Sequence, residues 1–278
     1  MVKIHDEGEL ARKLLPAIIR AGAATMLHFR IATGVDIKRD GSPVTIADQL
    51  SEEILLTALA AIAPDIPVVA EEASAAGIVP QTGQQFFLVD PLDGTREFTN
   101  GIGEFTINIG LIEGGVPTFG IIYAPAVSKL YVTLSRTHAA TAMIDPDHSG
   151  PDLATLSLTR INVRQRDPQS GLTVVASRSH GSIELEQWLS GITIADRSNI
   201  GSSLKFCLVA EGAADLYPRL GPIKEWDTAA GHAIVAAAGG TVTKLDGAPL
   251  LYGKRDAAFL NPPFIVRAQG GIAGVQGR

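Results

Sequence analysis

The residues of this chain best suited to chemistry concentrate in the string Asp90-Pro91-Leu92-Asp93-Gly94-Thr95. Two carboxylates stand three positions apart on a segment that Pro91 and Gly94 force to turn. Proline fixes its own φ, and glycine reaches conformations closed to other residues. Such a turn can bring both carboxylates to one point and free backbone carbonyls, that of Leu92 among them. Oxygen donors of this kind suit a hard divalent cation, and the amides that follow could receive an anion. For Asp-Pro or Asp-Gly alone, an acidic turn closing a strand is the plainer reading. The six-residue string is more specific, because each member has a separate structural reason.

Other acidic residues stand at the ends of elements: Asp48 in Thr45-Ile46-Ala47-Asp48, the pair Glu71-Glu72, and Asp227 in Trp226-Asp227-Thr228-Ala229-Ala230-Gly231. Each also has a plain reading. Asp48 fits a helix-start carboxylate favoured by the dipole, and Asp227 a helix cap. Glu72 fits a solvated neighbour of Glu71, since adjacent strand residues point to opposite faces. Trp226 fits packing that positions Asp227. Were four of these carboxylates gathered in one site, they would repel strongly unless cations neutralised them.

The elements that must position these groups follow from periodicity. Helical spacing runs from about Glu9 to Arg30 and from Ile46 to Ile62. The β-branched run Ile66 to Ala70 leads into Glu71, and the apolar run Phe86 to Val89 leads into Asp90. Strands over Glu104 to Ile112, Thr118 to Tyr123 and Leu130 to Leu134 form an antiparallel meander. In the second half, strands are expected at Leu172 to Ala176, Ala214 to Tyr217, Val242 and Ile265. Helices are expected from Ser182 to Leu189, Ser203 to Glu211 and Asp227 to Ala238, the last stopped by Gly239-Gly240. Strands and helices intermix with antiparallel hairpins, so the fold class is α+β rather than a purely parallel sheet.

The 278 residues suffice for one large domain or two lobes sharing a core. A formal net charge of −6 excludes a nucleic-acid-coating surface, so no nucleic acid polymer is expected as partner. It leaves a small anionic substrate open, because a bound cation can reverse the local charge. The single cysteine, Cys207, excludes an intramolecular disulfide or a thiolate zinc cluster and reads as a buried small hydrophobe. Absence of a signal-like segment or an apolar run of membrane-spanning length makes a cytoplasmic protein the expectation, with peripheral attachment to the inner membrane left open. Monomer and homodimer also both stay open.

Taken together, these segments resemble the signatures of the lithium-sensitive, magnesium-dependent phosphatases related to inositol monophosphatase. Asp90 to Thr95 is similar to the first signature and Trp226 to Gly231 to the second, W-D-x-A-A-G, with Glu71-Glu72 upstream and the order kept over nearly the whole chain. The resemblance implies a layered αβαβα sandwich of the inositol monophosphatase and fructose-1,6-bisphosphatase type. Residues 1–145 would carry most metal ligands, and residues 146–278 would carry Asp227 and the substrate-binding residues. It implies that Glu71, Asp90, the Leu92 carbonyl, Asp93 and Asp227 bind two or three Mg2+ ions. Thr95, supported by Asp48, would polarise the attacking water.

Substrate choice must come from the second half. Ser177-Arg178-Ser179-His180, Gly201-Ser202-Ser203-Leu204-Lys205-Phe206-Cys207, Glu211-Gly212 and Leu216-Tyr217-Pro218-Arg219 resemble the bacterial 3′(2′),5′-bisphosphate nucleotidase branch of that family. That implies hydrolysis of adenosine 3′,5′-bisphosphate to AMP and phosphate, clearing a by-product of sulfate assimilation, with the sulfated parent nucleotide as a further candidate substrate. Two phosphates need two anion sites. The second is expected where Lys205 follows the Gly201-Ser202-Ser203 helix start, whose amides and hydroxyls suit a phosphate. The resemblance implies that Ser177, His180, Gly201, Ser202 and Lys205 bind the substrate, beside Glu71, Leu92, Asp93, Gly94, Thr95 and Asp227. The plain alternatives are a Ser202-Ser203 cap and a solvated Lys205. The rival functions are an inositol or sugar monophosphatase with the same metal site, and a non-catalytic phosphate binder.

Overall fold

Alternation along one strand sets up the layers. In Gln85–Asp93, Phe87 and Val89 face one side, and Phe86 and Leu88 the other, because successive strand residues point to opposite faces. The computed structural model describes residues 6–31, 35–37, 43–148, 150, 152–165, 170–179 and 183–268. Phe87 and Val89 pack with Leu10, Leu14 and Ile18 of the helix Glu7–Ile31 and with Leu55 and Leu59 of Ile46–Ile62. Phe86 and Leu88 pack with the helices Leu204–Ala210 and Ala229–Ala237. Those two helices are covered in turn by Tyr217, Phe264 and Val266 of a second sheet. Leu216 and Ile265, the alternate residues of that sheet, face outward onto Leu185 and Leu189 of the helix Ile183–Leu189. The result is helix, sheet, helix, sheet, helix: the layered αβαβα arrangement.

Among the described residues the first sheet has seven strands, Val68–Ala70, Gln85–Asp93, Thr106–Glu113, Val116–Ala124, Lys129–Ser135, His138–Met143 and Thr159–Ile161, adjacent in that order. The expected meander is present, extended by the last two strands. The second sheet runs Ile194–Ile200, Leu172–Ser177, Leu216–Arg219, Phe264–Arg267, Thr241–Lys244. Its edge strand Ile194–Ile200 carries no alternation that sequence periodicity could detect. It pairs in parallel with Leu172–Ser177, and none of its residues is fully buried. Ser182, the expected start of a helix, lies outside the described residues.

Two glycines seat the helix Ala229–Ala237. Gly110 and Gly120 are cross-strand partners in the first sheet. A Cβ on Gly120 would lie 2.2 Å from the Ala230 carbonyl oxygen, and one on Gly110 2.7 Å from the Ala229 Cβ. Gly231 has the same constraint on its other side, where a Cβ would meet the Phe206 ring at 2.4 Å. The small residues Ala229-Ala230-Gly231 are thus required by a helix backbone pressed onto the sheet, and the seat fixes where the residues just before it, Trp226 and Asp227, must lie. Gly120→Ala is expected to cost at least about 2 kcal/mol, since overpacking a close-packed contact against backbone has no cheap relaxation. Urea denaturation of the two proteins measures it, and a loss near zero would show the helix free to shift.

Candidate active site

Strand register brings the acidic residues together. Val68–Ala70 runs parallel to Gln85–Asp93 with Ala70 opposite Val89, so Glu71 and Asp90 emerge side by side at the carboxyl ends of two neighbouring strands. The ladder with Thr106–Glu113 is irregular between Asp90 and Asp93. There the Leu92 amide donates to Asp90 Oδ1 at 3.0 Å, and Ser51 Oγ donates to the Pro91 carbonyl at 2.8 Å. Gly94 takes φ +97, and a Cβ there would lie 2.9 Å from the Glu104 carbonyl oxygen. Both the backbone conformation and the space require glycine at that position. The helix Thr95–Thr99 starts directly after it.

One carboxylate oxygen from each of Glu71, Asp90 and Asp227 lies within 4.8 Å of the others. Like charges at that spacing repel by on the order of 3 kcal/mol per pair at an effective dielectric of about 20. Burial pushes the Asp90 carboxyl well above the usual range, and Glu71, Asp93 and Asp227 push it further. Asp227 is raised in the same way by burial and by Asp93 and Glu71. Asp93 is raised by burial, against the opposing pull of Lys205 and the Ser203 hydroxyl. An all-oxygen donor set that is short of compensating cations fits a hard divalent metal and lacks the nitrogen and sulfur donors of a zinc site.

Asp93 lines the same cleft but is not one of that close trio. Its Oδ2 lies 2.8 Å from Ser203 Oγ, which is also 2.7 Å from the Asp227 carbonyl and receives a bond from Asn108 Nδ2 at 3.1 Å. Ser203 is the N-cap residue of Leu204–Ala210, yet its side chain makes no capping bond. It joins the two ligand segments instead. Its neighbour position in the glycine-serine string was the available signal; its partners, distant in sequence, were not.

Asp48 serves both readings at once. It closes a capping box with Thr45, whose amide and hydroxyl each donate to Asp48 Oδ2 at 2.7 Å. Its other oxygen faces the Thr95 hydroxyl at 3.3 Å, which is also 3.2 Å from the Leu92 carbonyl. Glu72 is not a strand residue, as the spacing suggested. Glu71 and Glu72 open the short helix Glu71–Ala75, so helical direction rather than strand alternation separates them. Asp227 is not the helix cap either; Thr228 holds that position. Trp226 is buried against Phe259 with ring centroids 6.1 Å apart, consistent with a packing role.

A cleft of about 340 Å³ joins the acidic cluster to the second-half residues, and Ser177, Gly201, Ser202, Lys205 and Arg219 line it together with Gly94 and Thr95. His180 lies outside the described residues. One amide of the expected cradle is already taken: the Gly201 N–H donates to Glu104 Oε2 at 2.8 Å. Glu104 is itself gripped by both arms of Arg178. Glycine is needed at 201 for space, since a Cβ would meet the Glu104 carbonyl at 2.7 Å and Glu97 Cγ at 2.8 Å. Lys205 is no solvated surface charge. It is 5% exposed, and burial lowers its pKa to about 8 against the pull of Asp93. Its ammonium donates to the carbonyls of Ile200 and Ser202, which leaves one of its three N–H bonds for the cleft among the described residues. Arg219, buried at the wall, donates to the carbonyls of Gly221 and Pro222. Tyr217 places a hydroxyl with no hydrogen-bond partner among the described residues beside these two cations.

A family model described as the inositol monophosphatase family matches residues 8–274. The chain belongs to that family. It is 44% identical over 248 residues to the 3′(2′),5′-bisphosphate nucleotidase CysQ of Escherichia coli O157:H7, covering 88% of this chain and 94% of that protein. Against CysQ of Salmonella typhimurium the identity is 44% over 260 residues, covering 93% and 96%. Among solved structures, CysQ from Bacteroides thetaiotaomicron matches with a TM-score of 0.78 at 35% identity over 95% of this chain and 98% of that one. An inositol monophosphatase of Thermotoga maritima shares the fold at a TM-score of 0.72 and 22% identity. The family is metal-dependent, in keeping with the acidic cluster. No helix among the described residues is long and apolar enough to cross a membrane.

The raised carboxylates give a pH signature. A carboxyl whose pKa is higher in the folded than in the unfolded chain makes the folded state bind more protons, so its penalty grows as pH rises from about 4 through the folded value. A bound cation removes that penalty. The gain in Tm on adding magnesium to chelator-treated protein is therefore expected to be larger at about pH 8 than at about pH 5. Taking the gain at each pH cancels His232, whose burial holds its pKa down at about 3. A gain independent of pH would contradict the cluster as the cation site.

Proposed function

We propose that this chain is a magnesium-dependent 3′(2′),5′-bisphosphate nucleotidase that removes the 3′-phosphate of adenosine 3′,5′-bisphosphate, leaving AMP and phosphate. The carrying observation is one cleft lined by Glu71, Asp90, Asp93 and Asp227, by Thr95 with its bond to Asp48, and by buried Lys205 and Arg219. The 44% identity to CysQ proteins over most of both chains supports the same substrate class and weighs against an inositol phosphatase.

In this reading Glu71, Asp90, the Leu92 carbonyl, Asp93 and Asp227 hold two or three Mg2+ ions. Bound there, magnesium supplies charge neutralisation, polarisation of the phosphoryl oxygens and a lowered pKa for the attacking water. Asp48, fixed by Thr45, accepts the Thr95 hydroxyl proton, and the Thr95 oxygen is then an acceptor that orients the water. Ser203 holds Asp93 in register with the Asp227 backbone. Lys205 and Arg219 receive the phosphate that is not cleaved, Ser177 and Ser202 in the cleft lining face the nucleoside, and His180 remains a candidate for it from the sequence. Gly201 contributes space rather than a hydrogen bond. The sulfated parent nucleotide presents the same 3′-phosphate and is a second substrate under this reading. A pure phosphate binder has no use for the Thr95–Asp48 pair.

Phosphate release across nucleoside bisphosphates and inositol or sugar monophosphates, with and without magnesium, tests the proposal. Adenosine 3′,5′-bisphosphate with magnesium is expected to be turned over fastest; preference for a monophosphate would reject the substrate. Asp93→Asn is expected to abolish turnover while the fold survives. Thr95→Ala is expected to lower kcat far more than it raises KM, since its effect lies in the transition state; a pure KM effect would contradict its role. Lys205→Ala is expected to cost about 2 kcal/mol or more in kcat/KM for the bisphosphate, the scale of a lost charge-assisted hydrogen bond, and much less for a sugar monophosphate. Equal losses on both would remove Lys205 from the second anion site.

A further inference from the structure

The short helix Glu71–Ala75 begins at a member of the acidic cluster, and its N-cap residue, Ala70, has no side chain able to receive its first amides. Those amides have no partner inside the helix, as at any helix start. Glu52 takes two of them from the facing helix Ile46–Ile62. Its Oε2 accepts from the Glu72 amide and its Oε1 from the Ala73 amide, each at 2.8 Å. Glu52 is 6% exposed, a depth at which a carboxylate is tolerated when it is hydrogen-bonded. Because both oxygens engage adjacent amides, moving the peptide in either direction weakens one of the bonds.

The same helix places Asp48, Ser51 and Glu52 on one face, at the i, i+3, i+4 spacing. Asp48 reaches Thr95, Ser51 reaches the Pro91 carbonyl, and Glu52 reaches the backbone after Glu71. The Glu71 backbone is therefore fixed from both sides: by pairing of Ala70 with Val89 before it, and by Glu52 after it.

We propose that Glu52 is a positioning residue for the metal site, clamping the peptide that follows Glu71 and so holding the Glu71 carboxylate beside Asp90 and Asp227. The proposal rests on the metal-site reading above. Glutamine at this position keeps the shape but presents an NH2 group to an amide N–H, losing one acceptor and adding a donor-to-donor clash. Groups that orient a ligand from behind typically contribute about 10–100-fold in metal affinity.

The test is Mn2+ binding to the full chain, followed by the electron paramagnetic resonance of free Mn2+, for wild type, Glu52→Gln, Glu71→Gln and the double variant. Glu52→Gln is expected to bind Mn2+ about 10–100-fold more weakly, with the magnesium concentration for half-maximal turnover raised by a similar factor. The double variant is expected to bind no more weakly than Glu71→Gln alone, the non-additivity of residues acting through one another. Wild-type affinity in Glu52→Gln beside a weakened Glu71→Gln, or strictly additive losses, would overturn the proposal. Unchanged affinity in Glu71→Gln would overturn the metal-site reading itself. If Glu52→Gln does not fold, Glu52→Asp keeps the charge, draws both oxygens back by one methylene, and carries the same expectation.

Discussion

Repulsion among the clustered carboxylates is the constraint under which the rest of this structure is arranged. Asp90, Asp93 and Asp227 are all held above the ordinary carboxylate range, chiefly by burial and also by nearby acidic residues. Left to side-chain preference, such groups would turn away from one another. The backbone prevents it. Parallel pairing sets Glu71 next to Asp90, a turn with a left-handed glycine sets Asp93 and Thr95, and a helix pressed onto two sheet glycines sets Asp227. The layers above and below can be read as what is needed to make those placements rigid. Backbone placement of this kind fixes the carboxylates in advance, the condition under which electrostatic catalysis is strongest.

The groups that do the holding are mostly uncharged or already paired, and this follows from the same constraint. Adding further free carboxylates near the cluster would deepen the repulsion, whereas a hydroxyl such as Ser203 or Ser51 can bridge segments at little electrostatic cost. Where a carboxylate is used in support, it is spent on backbone N–H groups: Glu52 on 72 and 73, Glu225 on 253 and 254, Glu104 on 201. Each such bond fixes the backbone segment it reaches, and the one at 201 lies in the cleft wall.

How much of this was legible in the sequence depended on whether the cause was local. The turn from Asp90 to Thr95 was legible because Pro91 and Gly94 carry their own conformational reasons. The helix Ile46–Ile62 was legible to the residue, having a capping box at Thr45 and Asp48 and prolines at its end. Ala229-Ala230-Gly231 was recognisable as a motif, yet the reason for its small residues, the glycines at 110 and 120, belongs to another part of the chain. The edge strand Ile194–Ile200 was invisible because an edge beside a solvated face needs no alternation. The Gly201 amide, expected in the phosphate cradle, is taken for a tertiary reason: Glu104, 97 positions away, accepts from it. Asn108 and Ser203 are 95 positions apart, and no spacing rule could have joined them.

The acidic and the basic residues that line the cleft differ in kind, and on the proposed reading that difference separates reaction from selectivity. A metal and a water at the acidic residues would make the same demands for any phosphate monoester. Lys205 is buried deeply enough for its pKa to fall to about 8, which means its charge is poorly compensated by solvent. A buried ammonium with two N–H groups on carbonyls is stabilised by an arriving anion more than an exposed lysine would be, because less hydration is given up. Arg219, buried in the same cleft wall, adds a guanidinium. On the proposed reading, a substrate with one phosphate would engage only the acidic residues and leave these donors unfilled. One with two phosphates at nucleotide spacing would engage both, so discrimination would arise from the cost of the unfilled donors as much as from the contacts made.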